Sequence, residues 1–409
     1  MSVMPFLKAS KRLLLPLVYG LANIGYAIWP RHLPRQSQLP VGINFIGYYA
    51  AELGLGQALR SAVHAASAVR LPLGVRQLAI KMMSRQEDVS TAPFLSDKAQ
   101  FSVNCICVNP DMLYRLPVWI KCEEWANRYN VGYWFWELSR FPPAWSYAQH
   151  LVDEVWVNTD FVALALTEVK VPVYKIPFAV EFDVCAAHAK REDFGLEKNH
   201  FVFCFSFDFH SQIARKNPQA VITAFKNAFA GSQAQVSLVI KTSNGSAHPE
   251  QHFILKELIA QDERIVMLDV QLTSEKMRAL LSVIDCYVSL HRSEGLGLGM
   301  AESMYLGKPV IATAYSGNLE FMNEGNAALV SYELVPVKEG EYPFWRDQVW
   351  AEPNVAHAAQ FMRKMVDEPN YRTSLGQQAA KYLREHHSYA QMGRAMQARL
   401  IAIAEQLPE

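Results

Sequence analysis

The sequence predicts an α/β protein built as two doubly wound domains, and three observations carry that expectation. The chain is 409 residues long, beyond the length at which one hydrophobic core stops growing. Short, nearly continuous apolar runs alternate with helical stretches, the pattern of parallel strands covered on both faces. A charged stretch without periodicity, "DVCAAHAKREDFGLEKNH" (183–200), separates two such series.

The first series opens with a strand at "VGINFIGYY" (41–49), a loop "AAELGLGQ", and a helix from near Leu55. Further strands are expected at 101–108, 131–136, 154–158 and 172–180, with helical stretches at "SYAQHLVD" and "DFVALALTEV". The second series places strands at 201–207, 235–241, 265–269, 285–290 and 309–314. Helices at 217–230, 251–261, 274–283 and 299–306 fall between them. Such alternation is that of a second doubly wound domain. The tail from Gln377 to Gln406 is strongly helical. The expected boundaries are a basic, apolar segment (1–40), a first domain (41–185), a second domain (186–385) and a final helix (386–409).

Composition narrows the function classes. Hydrophobic residues make up 51% and charged residues 19%, enough to bury a large core, which argues against wholesale disorder. Lysine plus arginine (39) balances aspartate plus glutamate (39), which argues against a globally basic nucleic-acid binder. Cys105, Cys107, Cys122, Cys185, Cys204 and Cys286 form no C-x-x-C pair of the zinc-binding kind. Most lie in apolar runs, where a thiol acts as a small hydrophobe, and a reducing cytoplasmic compartment fits best.

The amino terminus differs from the rest. Lys8, Lys11, Arg12, Arg31 and Arg35 precede Ala51 with no acidic residue among them, and "LLLPLVYGLANIGYAIWP" lies between Arg12 and Arg31. Leu17, Leu21, Ile24 and Ile28 make one apolar stripe, with Gly20, Asn23 and Ala27 on the other side. Three readings stay open: a helix on the inner membrane face held by the flanking cations, a structural helix packed on the domain, or a span or uncleaved signal anchor.

The most informative stretch is "HRSEGLGLGMAESMYLGKPVIATAYSGNLEF" (291–321). A strand runs into a glycine turn and then a short helix, which directs free N–H groups and the positive end of a helix dipole at one spot. A diphosphate is the natural occupant. A dinucleotide fingerprint, G-x-G-x-x-G, is not met, because Met300 stands where the third glycine belongs. Glu294 and Glu302 flank the phosphate spot, placed for hydroxyl groups. Read alone, they could also be a cap and a solvated helix residue.

The stretch resembles the E-x7-E signature of retaining glycosyltransferases of family four (glycosyl transferases group 1), through "EGLGLGMAE", "GKPVIAT" and G-x-x-E. The resemblance implies the GT-B fold: two Rossmann-like domains facing across a cleft, with a final helix crossing back to the first. It implies that Glu294 holds donor-sugar hydroxyls and Glu302 the nucleotide ribose. Gly295, Leu296 and Gly297 would offer backbone N–H groups to sugar and phosphates, and Gly317 and Glu320 would shape the sugar pocket. Family members place an Arg and then a Lys in the loop after the first strand of this domain. Lys216 matches the Lys. At the Arg position this chain has His210 and Ser211, with Arg215 as a neighbouring substitute, so that role stays open.

In the first domain, Gly54 and Gly56 resemble the glycine loop near acceptor and phosphate, although a tight connection explains them equally. In "GYWFWELSRFPPAW", Glu137 occupies the place where relatives carry a His aimed at the donor sugar. "WEL-x-x-FP" resembles a bacterial surface-polysaccharide subgroup. The plain alternative is a buried aromatic strand with Glu137 capping the next element. Asn109 and Asp111 are weaker acceptor-side candidates. The nucleobase is expected around Leu268–Leu272. No D-x-D is present, so no metal and no cofactor are expected.

The expected function is transfer of a sugar from a nucleotide-diphosphate sugar to a saccharide, lipid-linked, at the cytoplasmic side of the inner membrane, with the donor mainly on the second domain. A catalytically inactive nucleotide- or sugar-binding protein and a nucleotide-sugar epimerase are the rivals.

Overall fold

The computed structural model describes residues 4–28, 39–78, 85–125, 128–184 and 189–406, with side chains of the first helix described from Leu14 to Tyr26. Arg31, Arg35 and Cys185 lie outside the described residues, as do the side chains of Lys8, Lys11, Arg12, Ala27 and Ile28. The chain divides into two compact units: Met1–Trp136, Arg140–Ala179 and Tyr389–Glu409 form one, and Glu137–Ser139 with Val180–Ser388 the other. The aromatic run thus splits, and Glu137 groups with the second unit.

The first unit is built on β1 (Ile43–Gly47), β2 (Leu73–Gln77), β3 (Val103–Cys107), β4 (Tyr129–Tyr133), β5 (Glu154–Val157) and β6 (Val173–Lys175). They form a sheet in the order β2-β1-β3-β4-β5-β6, every pair parallel. β1, β3 and β4 are buried throughout, which is why they read as continuous apolar runs. β2 has no such run, because this half-buried edge strand carries Gly74 and Arg76. β4 stops at Tyr133, so Trp134–Trp136 lie beyond it, and of "SYAQHLVD" (146–153) Ser146–His150 falls in the 3₁₀ element Pro143–His150, with no α-helix there.

The helical tail is broken into Pro369–His386 and Tyr389–Ala404. The second of these joins the first unit, where Met392, Met396, Leu400 and Ile403 enter the core beside Leu59, Ala62 and Ala66. A Cβ on Gly393 would sit 2.2 Å from the Ala65 carbonyl oxygen, so only glycine permits that approach. Glu154, fully buried, accepts hydrogen bonds from Tyr129 Oη (2.8 Å), Trp156 Nε1 (2.7 Å) and Arg399 Nη2 (2.6 Å).

The amino-terminal helix, Met4–Ile28, also belongs to this unit. Tyr19 and Ala22 are buried. Tyr26 Oη donates to the Tyr114 carbonyl at 2.7 Å, and Ser146 Oγ donates to Asn23 Oδ1 at 2.8 Å. The opposite face is open: Leu17, Leu21 and Ile24 are 61%, 62% and 66% exposed. Among the described residues no helix is long and apolar enough to cross a membrane.

The second unit holds β7 (Phe201–Asp208), β8 (Val236–Ser243), β9 (Ile265–Asp269), β10 (Cys286–Ser289), β11 (Val310–Thr313) and β12 (Ala328–Val330), in the order β12-β11-β10-β7-β8-β9. These strands too are parallel. Phe203, Phe205, Phe225, Phe229 and Met362 fill the core on one face. An antiparallel hairpin, β13 (Tyr332–Pro336) and β14 (Val349–Pro353), stands apart from this sheet. Cys105, Cys107, Cys204 and Cys286 are buried and Cys122 is exposed; none of these five is in a disulfide.

Arg399→Leu should destabilise the protein by about 3–5 kcal/mol in urea unfolding, because it strands the Glu154 carboxylate in the core. Arg399→Lys should recover part of that loss.

Candidate active site

β7 and β10 are neighbours, yet β8 and β9 extend from one side and β11 and β12 from the other. Ligands of open α/β sheets bind at the carboxyl ends of the strands, where the order reverses in this way. The loop after β7 passes through the turn Phe209–Ser211 into the short helix Ile213–Lys216, and the loop after β10 leads into the helix Leu298–Tyr305.

These two loops bring Arg215, Lys216 and Glu294 together. Arg215 Nη1 stands 3.0 Å from Glu294 Oε2 and donates to the Ser293 carbonyl at 2.8 Å. Lys216 Nζ donates to Glu294 Oε1. The side chains of Arg215, Glu294 and Lys216 are 5%, 8% and 18% exposed. Burial pushes the Glu294 carboxyl up, but the Arg215 and Lys216 charges outweigh it and hold the group well below the usual carboxylate range. Burial lowers the Lys216 ammonium, with Glu294 opposing, and Arg215 is held above its ordinary value because Glu294 offsets its burial. Among the described residues Arg215 Nε is buried with no hydrogen-bond partner, a donor left for an incoming acceptor. His210, at the position where an Arg was sought, is exposed and pairs with His248 Nε2 at 2.9 Å.

The glycine turn lies directly below. Gly297, at φ +93°, opens the Leu298–Tyr305 helix, and among the described residues no side chain caps that helix, so the Leu298 and Gly299 N–H groups stay available. Gly295 is buried and Leu296 half-buried. The Gly317 N–H donates to the Glu294 carbonyl at 2.9 Å, and a Cβ on Gly317 would lie 2.1 Å from the Gly295 carbonyl oxygen. Ser316 Oγ accepts the Glu294 N–H at 2.8 Å. Its φ of +78° and ψ of −150° lie in a region that only glycine adopts easily. Gln212 and Asn217, at both ends of the Arg215–Lys216 turn, also have positive φ. Glu320 closes the turn Gly317–Glu320 and is half-buried.

Glu302 is buried one turn into the helix, with Arg278 Nε 3.3 Å from its Oε1. Burial raises its carboxyl and Arg278 opposes that. His291, fully buried beneath Glu294, is pulled down by burial and stays neutral, bonded to Ser289 Oγ (3.0 Å) and Asn318 Oδ1 (3.1 Å). Over the expected nucleobase segment, the Val270 N–H donates to the Thr242 carbonyl at 3.1 Å and Gln271 Nε2 to Asn244 Oδ1 at 2.8 Å.

Glu137 joins the same cluster. Its backbone carbonyl accepts from Ser293 Oγ, and its Oε2 accepts from Tyr342 Oη at 2.8 Å. Neither Tyr342 nor Arg292 is a candidate on sequence grounds. Arg292 ties hairpin to site: Nε donates to Glu352 Oε2 at 2.7 Å and Nη1 to the Ala214 carbonyl at 2.9 Å. The only signal for Tyr342 is the aromatic segment "EYPFW", which has no strand or helix period.

The first-unit candidates have local roles. A Cβ on Gly56 would meet the Ala51 carbonyl oxygen at 2.0 Å, whereas Gly54 faces open space. Asn109 Oδ1 accepts the Phe135 N–H at 2.9 Å, and the Asp111 carbonyl accepts from Tyr19 Oη at 3.2 Å.

Residues 188–382 match the family described as Glycosyl transferases group 1. The match spans almost the whole of the second unit. No curated protein matches the chain in sequence. Among solved structures, Anabaena Alr3699/HepE in complex with UDP-glucose is similar at a TM-score of 0.63 and 14% identity, over 88% of this chain and 99% of that one. Sucrose-phosphate synthase from Thermosynechococcus elongatus is similar at 0.63 and 12%, over 88% and 98%. A glycosyltransferase from Rickettsia africae is similar at 0.62 and 14%, over 90% and 98%. The fold is that of the two-domain GT-B glycosyltransferases.

In this transferase domain Glu294→Gln leaves two cations without their counter-charge. It should cost about 3–5 kcal/mol in urea unfolding at pH 7. Pyrophosphate should restore more stability to the variant than to the wild type, because it supplies the missing negative charge. For a depressed carboxylate the contribution is full above the unfolded value of 4.5 and is lost as pH falls toward the folded one. The stability gap between the two proteins should therefore be flat above about pH 5.5 and close only in stronger acid.

Proposed function

We propose that the protein is a retaining glycosyltransferase that moves a sugar from a nucleotide-diphosphate sugar to a lipid-linked saccharide in the assembly of bacterial surface polysaccharide. The observation that carries this reading is the Arg215–Glu294–Lys216 cluster at the head of an uncapped helix. The diphosphate takes the two cations and the N–H groups of the Gly295–Gly297 turn. Glu294, released from part of its pairing, accepts donor-sugar hydroxyls, and Glu302 accepts from the ribose. Gly317 and Glu320 shape the sugar pocket, and Glu137 accepts a further sugar hydroxyl. Acceptor recognition belongs to the first unit, which carries Gly54, Gly56 and Asn109.

In the reaction the acceptor oxygen bonds to the anomeric carbon on the face that the phosphate leaves. The carbon–phosphate oxygen bond breaks, and the acceptor proton passes to the departing phosphate. Charge grows on that phosphate, where Arg215, Lys216 and the helix dipole stabilise it. The reading assigns this neutralisation to protein groups, with neither metal nor cofactor. Two cations poised for a leaving group favour transfer over a binding protein without turnover or an epimerase.

UDP, GDP and ADP, each at saturation, are the first ligands to test by thermal unfolding. One of them should stabilise the protein by about 3 kcal/mol at a hundred times its dissociation constant. No shift with any of the three sinks the donor-site reading.

Membrane association is the second part of the proposal. The exposed stripe of Leu17, Leu21 and Ile24 is opposite a face already packed on the unit. Five basic and no acidic residues precede Ala51, which suits an anionic lipid surface. The full chain should co-sediment with vesicles containing phosphatidylglycerol, less with neutral ones. Leu17→Asp combined with Leu21→Asp should abolish that binding without lowering Tm. Equal binding by this variant would refute the assignment.

A further inference from the structure

The donor reading leaves the hairpin β13–β14 without a role, although it borders the site. It is held firmly. Trp350 is buried, with the Arg292 guanidinium 5.4 Å from its ring centroid, and the Ala351 N–H donates to the Arg292 carbonyl at 2.9 Å. The Arg292 N–H donates in turn to the Arg215 carbonyl at 2.8 Å. Between the strands the loop doubles back through Phe344 (φ +55°) and Asp347 (φ +60°).

This loop delivers Tyr342 to the ion cluster. The phenol donates to Glu137 Oε2 at 2.8 Å, and its ring lies 5.9 Å from the Arg215 guanidinium and edge-on to Trp350 at 6.5 Å. Ser139 Oγ donates to Gln348 Oε1 at 3.4 Å, a second tie between the Glu137 segment and the loop. A carboxylate with its backbone held by Ser293 and one oxygen held by a phenol has little rotational freedom left. Its other oxygen, Oε1, has no hydrogen-bond donor from the protein among the described residues.

We propose that Tyr342 is a positioning residue that sets Glu137 to accept a hydroxyl of the transferred sugar, and that the pair selects neutral hexoses over uronic acids. The inference rests on the transferase reading. A fixed carboxylate rewards a hydroxyl donor and repels a sugar carboxylate at the same place. Arg215 and Lys216 do not relieve that repulsion, because the diphosphate engages them.

The test is calorimetric titration of the full chain with three ligands: the nucleoside diphosphate that stabilises the wild type, its glucose conjugate, and its uronate conjugate. Tyr342→Phe keeps the ring against Trp350 and loses only the hydroxyl. It should bind the free nucleotide within about twofold of wild type and the glucose conjugate roughly tenfold more weakly. Glu137→Gln should erase most of the preference for glucose over uronate. The double variant should bind the glucose conjugate no more weakly than Glu137→Gln alone, as expected when Tyr342 acts through Glu137. Unchanged binding of the glucose conjugate by Tyr342→Phe overturns the proposal. So does a parallel weakening of all three ligands with a lower Tm, the mark of a purely structural tyrosine. Failure of the wild type to bind any nucleotide is a separate result, which removes the transferase reading itself.

Discussion

The second unit is organised around one carboxylate held between two cations in a largely buried site. Three charges buried this closely rarely add net stability over apolar packing, and each becomes a liability once its partner is removed. The surroundings reflect that constraint. Ser316 accepts a strained backbone to receive the Glu294 N–H, the Ser293 carbonyl takes an Arg215 hydrogen, and Gly317 allows its strand of backbone against Gly295. Glu294 thereby supplies the negative charge that Arg215 and Lys216 would otherwise draw from an anion.

Backbone strain follows the same map. Among the described residues seven non-glycine positions have positive φ, and five of them, Gln212, Asn217, Ser316, Phe344 and Asp347, lie in the two site loops, the turn beside them and the hairpin loop. Each costs on the order of 1–3 kcal/mol where the side chain does not suit the conformation. Such positions persist only where neighbouring contacts over-determine them. Arg292 supplies many of those contacts, reaching the hairpin, the β7 loop and the Trp350 ring at once.

The sequence is most legible where burial is two-sided. β7, β10 and β11 can be placed to within a residue or two, because these interior strands are buried on both faces and their apolar runs are nearly unbroken. Two peripheral strands are not legible. β2 carries an arginine and a glycine, and β13 has an exposed face, so neither shows a run or a clean alternation. At the site, Glu294, Glu302 and Lys216 are visible as a spaced motif. Tyr342 and Arg278 are not, since their role arises from contacts across long sequence separations that no local spacing encodes. The apolar stripe of the first helix is plain in the sequence, but the packed face is the one bearing Tyr19, Ala22 and Tyr26, tyrosines that bury an aromatic body and keep a hydroxyl bonded.

The placement of Tyr389–Ala404 has a consequence for how the protein is made. The first unit is discontinuous: more than two hundred residues intervene between its β6 and the helix that completes its core. As the chain leaves the ribosome, the Gly54–Ala68 helix must wait with its alanine face uncovered, and the Glu154 carboxylate with no guanidinium, until the whole second unit has been synthesised. The second unit, continuous but for three residues, can fold first. Amino-terminal domains ordinarily lead during synthesis; this connectivity lets the second unit complete its core before the first, and leaves the nascent first half as the species with apolar surface for chaperones to meet.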